Sequence, residues 1–253
     1  MVNKAQVSLF FIFGVIILIA VGFINYLSSE KAKSGAIKET EIAVTSSELS
    51  LKAQIQSNVD FCVEGIIKEA LSYTGLHGGY YNIPEPKIVN DLDEMPMYAY
   101  LNQNTTPSIT IIESQISDYI KETLPDCVDG LDFENTKLKG EINSVTTTIG
   151  KDNVFVRVNY PLTLERTGTS IQVSDFGAEI PLRIDAIYGI ALELTKNQLD
   201  NEGTLCVDCV IDLAEKNNLG IDVDLEERNL IFTIFDNAVT IDGNPYVFSF
   251  ATE

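Results

Sequence analysis

The chain has 253 residues, of which 37 are acidic and 17 are basic, so its formal net charge at pH 7 is -20. A surface with this charge repels phosphate backbones, which argues against a nucleic-acid-binding protein. The length beyond residue 30 suffices for one large domain or two small ones, and a hydrophobic content of 45% is typical of a folded protein.

The N-terminal segment Val7–Leu27 reads VSLFFIFGVIILIAVGFINYL, and no residue between Gln6 and Ser29 carries a charged side chain. As a helix rising about 1.5 Å per residue, this segment is roughly 30 Å long, the thickness of the hydrocarbon core of a bilayer. The sequence therefore predicts a transmembrane helix over residues 6–29, with membrane lipid as its partner. A cleaved secretory signal is the main alternative, but its apolar stretch is usually about 7–15 residues long.

The orientation of this segment rests on three observations. Lys4 precedes it and Lys31 follows it, so the positive-inside rule gives only a weak indication. The N-terminal tail is short enough to stay inside the cell, and the rest of the chain carries four cysteines. We therefore expect a single-pass protein of the cell membrane with an extracytoplasmic C-terminal domain.

The four cysteines are Cys62, Cys127, Cys206 and Cys209. An even number in an extracytoplasmic domain indicates disulfide bonds, and four cysteines allow three pairings. We favour Cys62 with Cys127, because each lies on or just after a predicted helix of the same subregion, which leaves Cys206 to pair with Cys209. A four-thiolate zinc site would normally show two close pairs, and the sequence has one.

A redox-active CxxC site is a further alternative for Cys206 and Cys209. Thr204 could cap a helix there, and a helix N-terminus lowers the pKa of a cysteine. The βαβ context of thioredoxin-like proteins is not found in the sequence, so a structural disulfide is the favoured interpretation.

Residues 30–136 are predicted to form an amphipathic helix followed by a helical subregion. The segment Thr45–Glu48 has the form of a capping box, which predicts that a fresh helix or a new helical segment begins there. Apolar residues then recur every three or four positions until Gly75, the spacing of one helical stripe. The stripe is wider than a strict coiled-coil seam, so we expect it to pack against a sheet. Its residues are Leu51, Ile55, Val59, Cys62, Val63, Ile66, Ile67, Ala70 and Leu71.

In the remainder of this subregion, glycine and proline mark predicted turns and helix ends. Gly75–Pro86 predicts a tight reversal of the chain. Asp91–Gln103 is interpreted as irregular surface. Pro107–Thr123 is predicted as a second helix, which begins with the capping box Thr110–Glu113 and is stopped by Pro125.

Residues 137–253 are predicted to form an α+β head. The hydrophobic period changes to two, which indicates strands over Lys137–Thr148, Asn153–Leu164 and Ser170–Ile184 in an antiparallel meander. Two helices follow, over Asp185–Asp200 and Thr204–Asn218.

The C-terminal part of the head returns to strands. These are predicted over Asn229–Phe235, Ala238–Ile241 and Tyr246–Ala251, with turns at Asp236-Asn237 and Asp242-Gly243-Asn244. The predicted fold class is α+β: a long N-terminal helix, transmembrane and then amphipathic, followed by a head with antiparallel β-meanders and three further helices.

Catalytic signatures are sparse. The only histidine is His77, and its position between Leu76 and two glycines predicts a role in the backbone turn rather than in catalysis. Motifs for a serine nucleophile, a zinc protease or a nucleotide-binding loop are absent from the sequence. The acidic segments Asp91–Glu94 and Asp222–Glu227 do not match an EF-hand loop and predict a solvated surface. We therefore predict neither an enzyme, a cofactor nor a metal site.

One N-glycosylation sequon is present, Asn104-Thr105-Thr106. It lies in a polar segment on the predicted outer side, which makes Asn104 a candidate for modification.

The segment Lys4–Phe10 resembles the processing site of archaeal class III signal peptides, which occur on type IV pilin-like proteins. Four of its residues fit the family pattern, and Phe10 stands where the family often has glutamate. The resemblance implies that a prepilin peptidase removes residues 1–5 as a leader and leaves the hydrophobic span in place. The matching residues are Lys4 at position −2, Ala5 at −1, Gln6 at +1 and Ser8 at +3.

The rest of the chain resembles a group of uncharacterised membrane proteins of small-genome archaea. The resemblance lies in the Cys62 helix followed by Gly75–Tyr80, in the segment from Tyr119 to Cys127, and in the ending Tyr246–Ala251. It implies a real domain family and brings no assigned activity.

Together these observations predict a non-enzymatic, membrane-anchored cell-surface protein, a pilin-like structural or adhesive subunit that self-associates through its N-terminal helix. The alternative is a monomeric, membrane-tethered binding or sensing domain that does not polymerise.

Overall fold

The computed structural model describes residues 38–89, 94–133, 136–166, 169–201 and 204–253, with side chains from residue 48 onward except that of Thr169. The predicted leader, residues 1–5, and the predicted transmembrane helix, residues 6–29, lie outside the described residues. Within the described ranges, every helix is too short or too polar to cross a membrane. The chain is an α+β protein, and residues Gln54–Glu253 form one compact unit.

Four helices are described: α1 (Lys38–Leu76), α2 (Ile109–Gly130), α3 (Ile184–Asp200) and α4 (Val207–Asn217). The described strands form two sheets. The larger has the order β1-β2-β9-β8-β7, with β3 paired to β2, and the smaller has the order β4-β5-β6. The strands are β1 (Lys87–Val89), β2 (Glu94–Tyr100), β3 (Gln103–Asn104), β4 (Ser144–Ile149), β5 (Val154–Arg166), β6 (Thr169–Ile180), β7 (Gly220–Glu226), β8 (Asn229–Ile241) and β9 (Asn244–Thr252).

Helix α1 carries the apolar stripe that its sequence predicts. Six stripe residues are completely buried: Ile55, Val59, Val63, Ile67, Ala70 and Leu71. Because full burial of one aliphatic side chain is worth about 1.5–3 kcal/mol, this stripe is the main reason that the C-terminal half of α1 is held in the compact unit. The helix runs without a break from Lys38, so Thr45–Glu48 lies inside a helix and does not begin a new one.

A tight reversal follows α1, as predicted. Gly78 and Gly79 have φ angles of +55° and +81°, a region that side chains with a Cβ atom rarely adopt. A Cβ atom on Gly79 would also lie 2.6 Å from Cγ1 of Ile112 on α2. The reversal therefore requires glycine both for its backbone angles and for the close approach of α2.

The prediction of irregular surface over Asp91–Gln103 is wrong. The described part of this segment contains β2, in which Tyr98 and Ala99 are completely buried. Strand β2 pairs in parallel with β9, and the ring of Tyr98 stacks on Phe250 at a centroid distance of 4.4 Å. The sequence pattern does not indicate this strand for two reasons. Pro96 lies within it, and residues 97–99 are buried consecutively, without the alternation of a half-exposed strand.

The second helix begins within two residues of its predicted start, but its predicted capping box and its predicted end are wrong. The N-cap of α2 is Ser108, whose hydroxyl accepts a hydrogen bond from Ile111 N, and Glu113 instead accepts one from Ile149 N of β4 at 2.8 Å. The helix continues through Pro125 to Gly130. Proline removes one backbone donor, and burial of Leu124 and Val128 on either side offsets that loss.

The cap of α2 offers a direct comparison between the two candidate residues. Replacing Ser108 with alanine is expected to lower the free energy of unfolding by about 1 kcal/mol, because the Ile111 N–H loses its side-chain acceptor. Thr110→Ala is the matched control and is expected to cost less, since Thr110 only contacts the Ser108 hydroxyl. Urea unfolding of both variants measures the difference. A larger loss for Thr110→Ala would contradict the assignment of the cap.

The smaller sheet is the predicted antiparallel meander, but its strands begin and end at other residues than predicted. Strand β4 begins only at Ser144, although an isolated pairing of Lys139 with Thr163 continues its direction. Strand β6 stops at Ile180, and Ile184 starts α3 rather than ending a strand.

The C-terminal strands differ from the prediction in three places. Strand β7 was missed, and on it Asp222 and Asp224 are exposed. Strand β8 passes through Asp236-Asn237 as a register irregularity rather than a turn. The turn at Asp242-Gly243 is confirmed, with φ angles of +50° and +85° that suit a two-residue hairpin. The larger sheet is mixed rather than a pure antiparallel meander, because β2 and β9 are parallel.

Candidate functional site

The predicted processing residues Lys4, Ala5, Gln6 and Ser8 lie outside the described residues, as does the hydrophobic span. The geometry of a candidate site is therefore built from the compact unit. Three features stand out there: a disulfide between α1 and α2, a tyrosine-lined cleft beyond it, and a second disulfide at the start of α4.

The first disulfide joins Cys62 of α1 to Cys127 of α2, with their Cα atoms 5.9 Å apart. The two helices run antiparallel from this point. Further along, Glu69 of α1 meets Tyr119 of α2, and the glycine turn after α1 meets Ile112. The disulfide thus closes one end of the helix pair, and the reversal at Gly79 closes the other.

A cleft of about 370 Å³ opens near the end of α1. We call it the aromatic cleft. Among the described residues, it is lined by Tyr73, His77, Tyr81, Asn82, Ile83, Lys87 and Glu94.

The rings in and behind the aromatic cleft pack on one another. Tyr73 lies 4.2 Å from His77 and 5.3 Å from Tyr119 between ring centroids. Tyr81 meets Tyr119 edge-on at 5.0 Å and Tyr73 edge-on at 5.9 Å. Tyr119 is buried behind the others, whereas Tyr73 is 36% exposed. The cluster is therefore a rigid aromatic wall with one face open to solvent.

Burial and neighbouring carboxylates raise the pKa of two tyrosines of this cluster, Tyr119 and Tyr81. The Tyr119 hydroxyl donates to Glu69 Oε1 at 2.7 Å, and burial followed by this hydrogen bond raises the pKa of Tyr119 well above its usual range. Burial and a hydrogen bond to Glu122 likewise raise the pKa of Tyr81. Both phenols are neutral hydrogen-bond donors at physiological pH and are unsuited to act as bases.

His77 serves the end of the helix. Its Nδ1 lies 2.7 Å from the carbonyl oxygen of Tyr73, one turn earlier, and a carbonyl oxygen can only accept, so Nδ1 donates the proton. The ring is buried against Tyr73. This arrangement agrees with the predicted role of His77 in the turn.

Two charged residues also line the cleft: Lys87 of β1 pairs with Glu94 of β2 at 2.7 Å. The hydrogen bond to Glu94 raises the pKa of Lys87, so this lysine remains charged. The described lining of the cleft thus combines aromatic rings with one cation, one carboxylate and the amide of Asn82. Aromatic rings with a few polar groups are typical of the lining of ligand-binding clefts.

A second groove, of about 460 Å³, lies between α1 and the β8–β9 hairpin. Lys68 bridges it by pairing with Glu64 at 2.8 Å and with Asp242 at 3.1 Å. Its lining is mostly apolar and includes Leu76 and Pro245.

The second disulfide joins Cys206 to Cys209, with Cα atoms 5.3 Å apart. The sequence placed the helix cap at Thr204, but the structure places it at Cys206 itself. The Cys206 sulfur accepts a hydrogen bond from Cys209 N at 3.3 Å. All four cysteines are in disulfides.

Comparison with protein-family models, with curated proteins and with solved structures finds no match. A functional argument for this chain therefore rests on its own residues.

The other predicted sites are placed as follows. Asn104 is exposed at the end of β3, and its side-chain oxygen accepts from Thr106 N at 2.9 Å. Asp91 and Asp93 lie outside the described residues. Over the described ranges, His, Cys, Asp and Glu side chains do not gather in groups of three or more that could hold a metal ion.

The sequence analysis did not predict the aromatic cleft, although the spacing of two of its residues indicates part of it. Tyr73 and His77 are four residues apart on one helix, the spacing at which side chains meet. Tyr81, Tyr119 and Lys87 join them only through the glycine reversal and the antiparallel α2, which the local pattern does not specify.

Proposed function

We propose that this chain is a membrane-anchored cell-surface protein, a pilin-like structural or adhesive subunit. The observation that carries the proposal is the sequence of features along α1 and the segment before it. An uncharged apolar span, Val7–Leu27, precedes a helix whose apolar stripe packs into an α+β unit. This order suits a subunit whose N-terminal helix sits in lipid or bundles with its copies, while its head remains in water.

The segment around Ala5 supports the same proposal. Lys4, Ala5, Gln6 and Ser8 fit the processing pattern of class III signal peptides, so the proposed partners are membrane lipid, a prepilin peptidase and further copies of the chain. The formal charge of -20 keeps the heads soluble at high local density.

The aromatic cleft supports an adhesive role within this proposal. Tyr73 presents an exposed ring beside the polar groups of Asn82 and Lys87, the combination by which surface clefts hold a ligand. The same cleft would serve the alternative function, a monomeric tethered binding or sensing domain.

The N-terminus of the protein isolated from its native membrane tests the processing step. We expect the mature chain to begin at Gln6, having lost Met1–Ala5, and to retain Val7–Leu27. An Ala5→Leu variant is expected to keep its leader, because the small residue before the cut is lost, and Val2→Leu is the matched control that is still cut. A native chain that begins at Met1 contradicts processing, and one that begins after Leu27 contradicts the anchor.

Electron microscopy of the purified native protein separates the two functions. Filaments that disappear in the Ala5→Leu variant support a structural subunit. Dispersed, detergent-bound monomers support the tethered binding domain and contradict the filament proposal.

A further inference from the structure

We propose that the Cys206–Cys209 disulfide is reactive and exchanges with the dithiols of other proteins. This inference goes beyond the proposed surface role and is independent of whether filaments form. Three observations carry it: the length of the loop that the disulfide closes, the position of Cys206 on α4 and the exposure of the site.

The first observation concerns what the disulfide can stabilise. Cys206 and Cys209 are three residues apart in sequence, whereas Cys62 and Cys127 are 65 apart. A disulfide stabilises a fold mainly by removing conformational freedom from the unfolded chain, and this effect grows with the length of the closed loop. The Cys206–Cys209 disulfide therefore contributes far less to the free energy of unfolding than the Cys62–Cys127 disulfide does.

The second observation concerns the sulfur of Cys206. It occupies the N-cap of an 11-residue helix and accepts the backbone N–H of Cys209 at 3.3 Å. The N-terminus of a helix carries a partial positive charge that favours a thiolate, and a stabilised thiolate is a good leaving group in disulfide exchange. Asp208, in the first turn, opposes this effect, and the basic residue of the helix, Lys216, lies in the last turn.

The third observation concerns access. Both cysteines are partly exposed, and next to them Val207 is 57% exposed and Ile211 is 49% exposed. A small apolar surface beside the sulfur suits an extended peptide as the reacting partner. In the other disulfide, Cys62 is 3% exposed and is shielded from an attacking thiolate, whereas Cys127 is partly exposed like Cys206 and Cys209.

The reaction balances as a two-electron exchange. One thiolate of the partner dithiol attacks Cys206 Sγ, forms a mixed disulfide and releases Cys209 as a thiolate. The second partner thiolate then attacks the partner sulfur of the mixed disulfide, which closes the partner disulfide and releases the Cys206 thiolate. Two electrons pass from the partner dithiol to Cys206 and Cys209, and the two thiol protons of the partner pass to these cysteines or to solvent.

A redox titration of the full-length protein in detergent tests the proposal without any substitution. The protein is equilibrated in glutathione buffers of increasing reducing strength, alkylated, and digested for mass spectrometry, which reports each cysteine separately. We expect Cys206–Cys209 to open in buffers that leave Cys62–Cys127 closed. If the two disulfides open together, or if Cys206–Cys209 opens last, the proposal is overturned.

Single variants test the role of the helix cap. In Cys209→Ser the remaining thiol is Cys206, and in Cys206→Ser it is Cys209. We expect iodoacetamide at pH 7 to alkylate Cys206 about tenfold faster than Cys209. Equal rates would contradict activation at the N-cap.

A synthetic peptide with two cysteines tests the exchange itself. The oxidised wild-type protein should convert the peptide dithiol to its disulfide and become reduced only at Cys206 and Cys209. The Cys206→Ser variant is the control and should leave the peptide reduced. Oxidation of the peptide at the same rate by both proteins would overturn the proposal.

Discussion

Replacing both Cys62 and Cys127 with alanine is expected to lower the free energy of unfolding by about 4 kcal/mol. The disulfide spans a sequence separation of 65 residues, which includes β1, β2, β3 and most of α2. Without it the unfolded chain regains the freedom of this long loop, while the folded state keeps the buried stripe of α1. Urea unfolding, followed by circular dichroism because the chain has no tryptophan, measures the loss.

The matched control for this prediction is the other disulfide. Replacing Cys206 and Cys209 with alanine is expected to cost less than about 2 kcal/mol, since the closed loop is so short. Equal losses for the two double variants would contradict the chain-entropy argument and would give the short disulfide a structural weight that its geometry does not suggest.

Replacing Arg183 with alanine is expected to cost about 3–5 kcal/mol at neutral pH. Arg183 Nε donates to Asp236 Oδ2 at 2.8 Å, and the Asp236 side chain is only 1% exposed. The guanidinium also donates to the carbonyl oxygens of Asn217 and Asn218, where α4 ends. The substitution leaves a buried carboxylate without its cation and leaves the end of α4 without its donors. Urea unfolding at pH 7 measures the cost.

The cost of Arg183→Ala is expected to shrink in acid. Burial acts to raise the pKa of Asp236, but hydrogen bonds from Arg183 and Ala238 N and the charge of Arg183 together hold it below its ordinary value. A carboxylate with a lowered pKa stabilises the fold above its unfolded pKa of about 3.9, and this contribution is lost as the pH falls through the folded pKa. The difference between wild type and variant should therefore be largest near pH 7 and smaller below about pH 4.

Lys196→Ala is the matched control for this ion pair. Lys196 pairs with Asp200 at 2.7 Å, but the two side chains are 73% and 58% exposed. Solvent and salt screen an exposed pair one helical turn apart, so this variant should be nearly as stable as wild type at every pH. A similar cost for Lys196→Ala and Arg183→Ala would contradict the importance of burial.

Much of the fold was predictable because it follows from local periodicity. The stripe from Ile55 to Leu71 repeats every three or four residues, so it specified both a helix and its buried face. Alternation in Val154–Val158 specified a half-buried strand in the same way, and Asp242-Gly243 specified a hairpin turn by its backbone preference.

The wrong predictions share a different cause, which is contact between elements that are distant in sequence. Strand β2 is buried among β9, α3 and the aromatic side chains of the larger sheet, and its pairing partner lies about 150 residues later in the chain. The sequence of Glu94–Tyr100 does not indicate such a distant pairing partner. The helix cap was assigned to Thr110 because the capping-box spacing fits, but Glu113 is held by the edge of β4, a contact that local spacing does not report.

The candidate sites show the same division between features set by local sequence and features set by contacts between distant elements. The apolar span, the segment Lys4–Ser8 that resembles a processing site, the sequon at Asn104 and the CxxC spacing are properties of contiguous residues, and the sequence by itself determined them. The aromatic cleft, the Arg183–Asp236 pair and the position of Cys206 at the cap of α4 depend on which distant elements meet. Only the tertiary structure decided these, because burial and the direction of a backbone N–H are set by packing and not by the neighbouring residues alone.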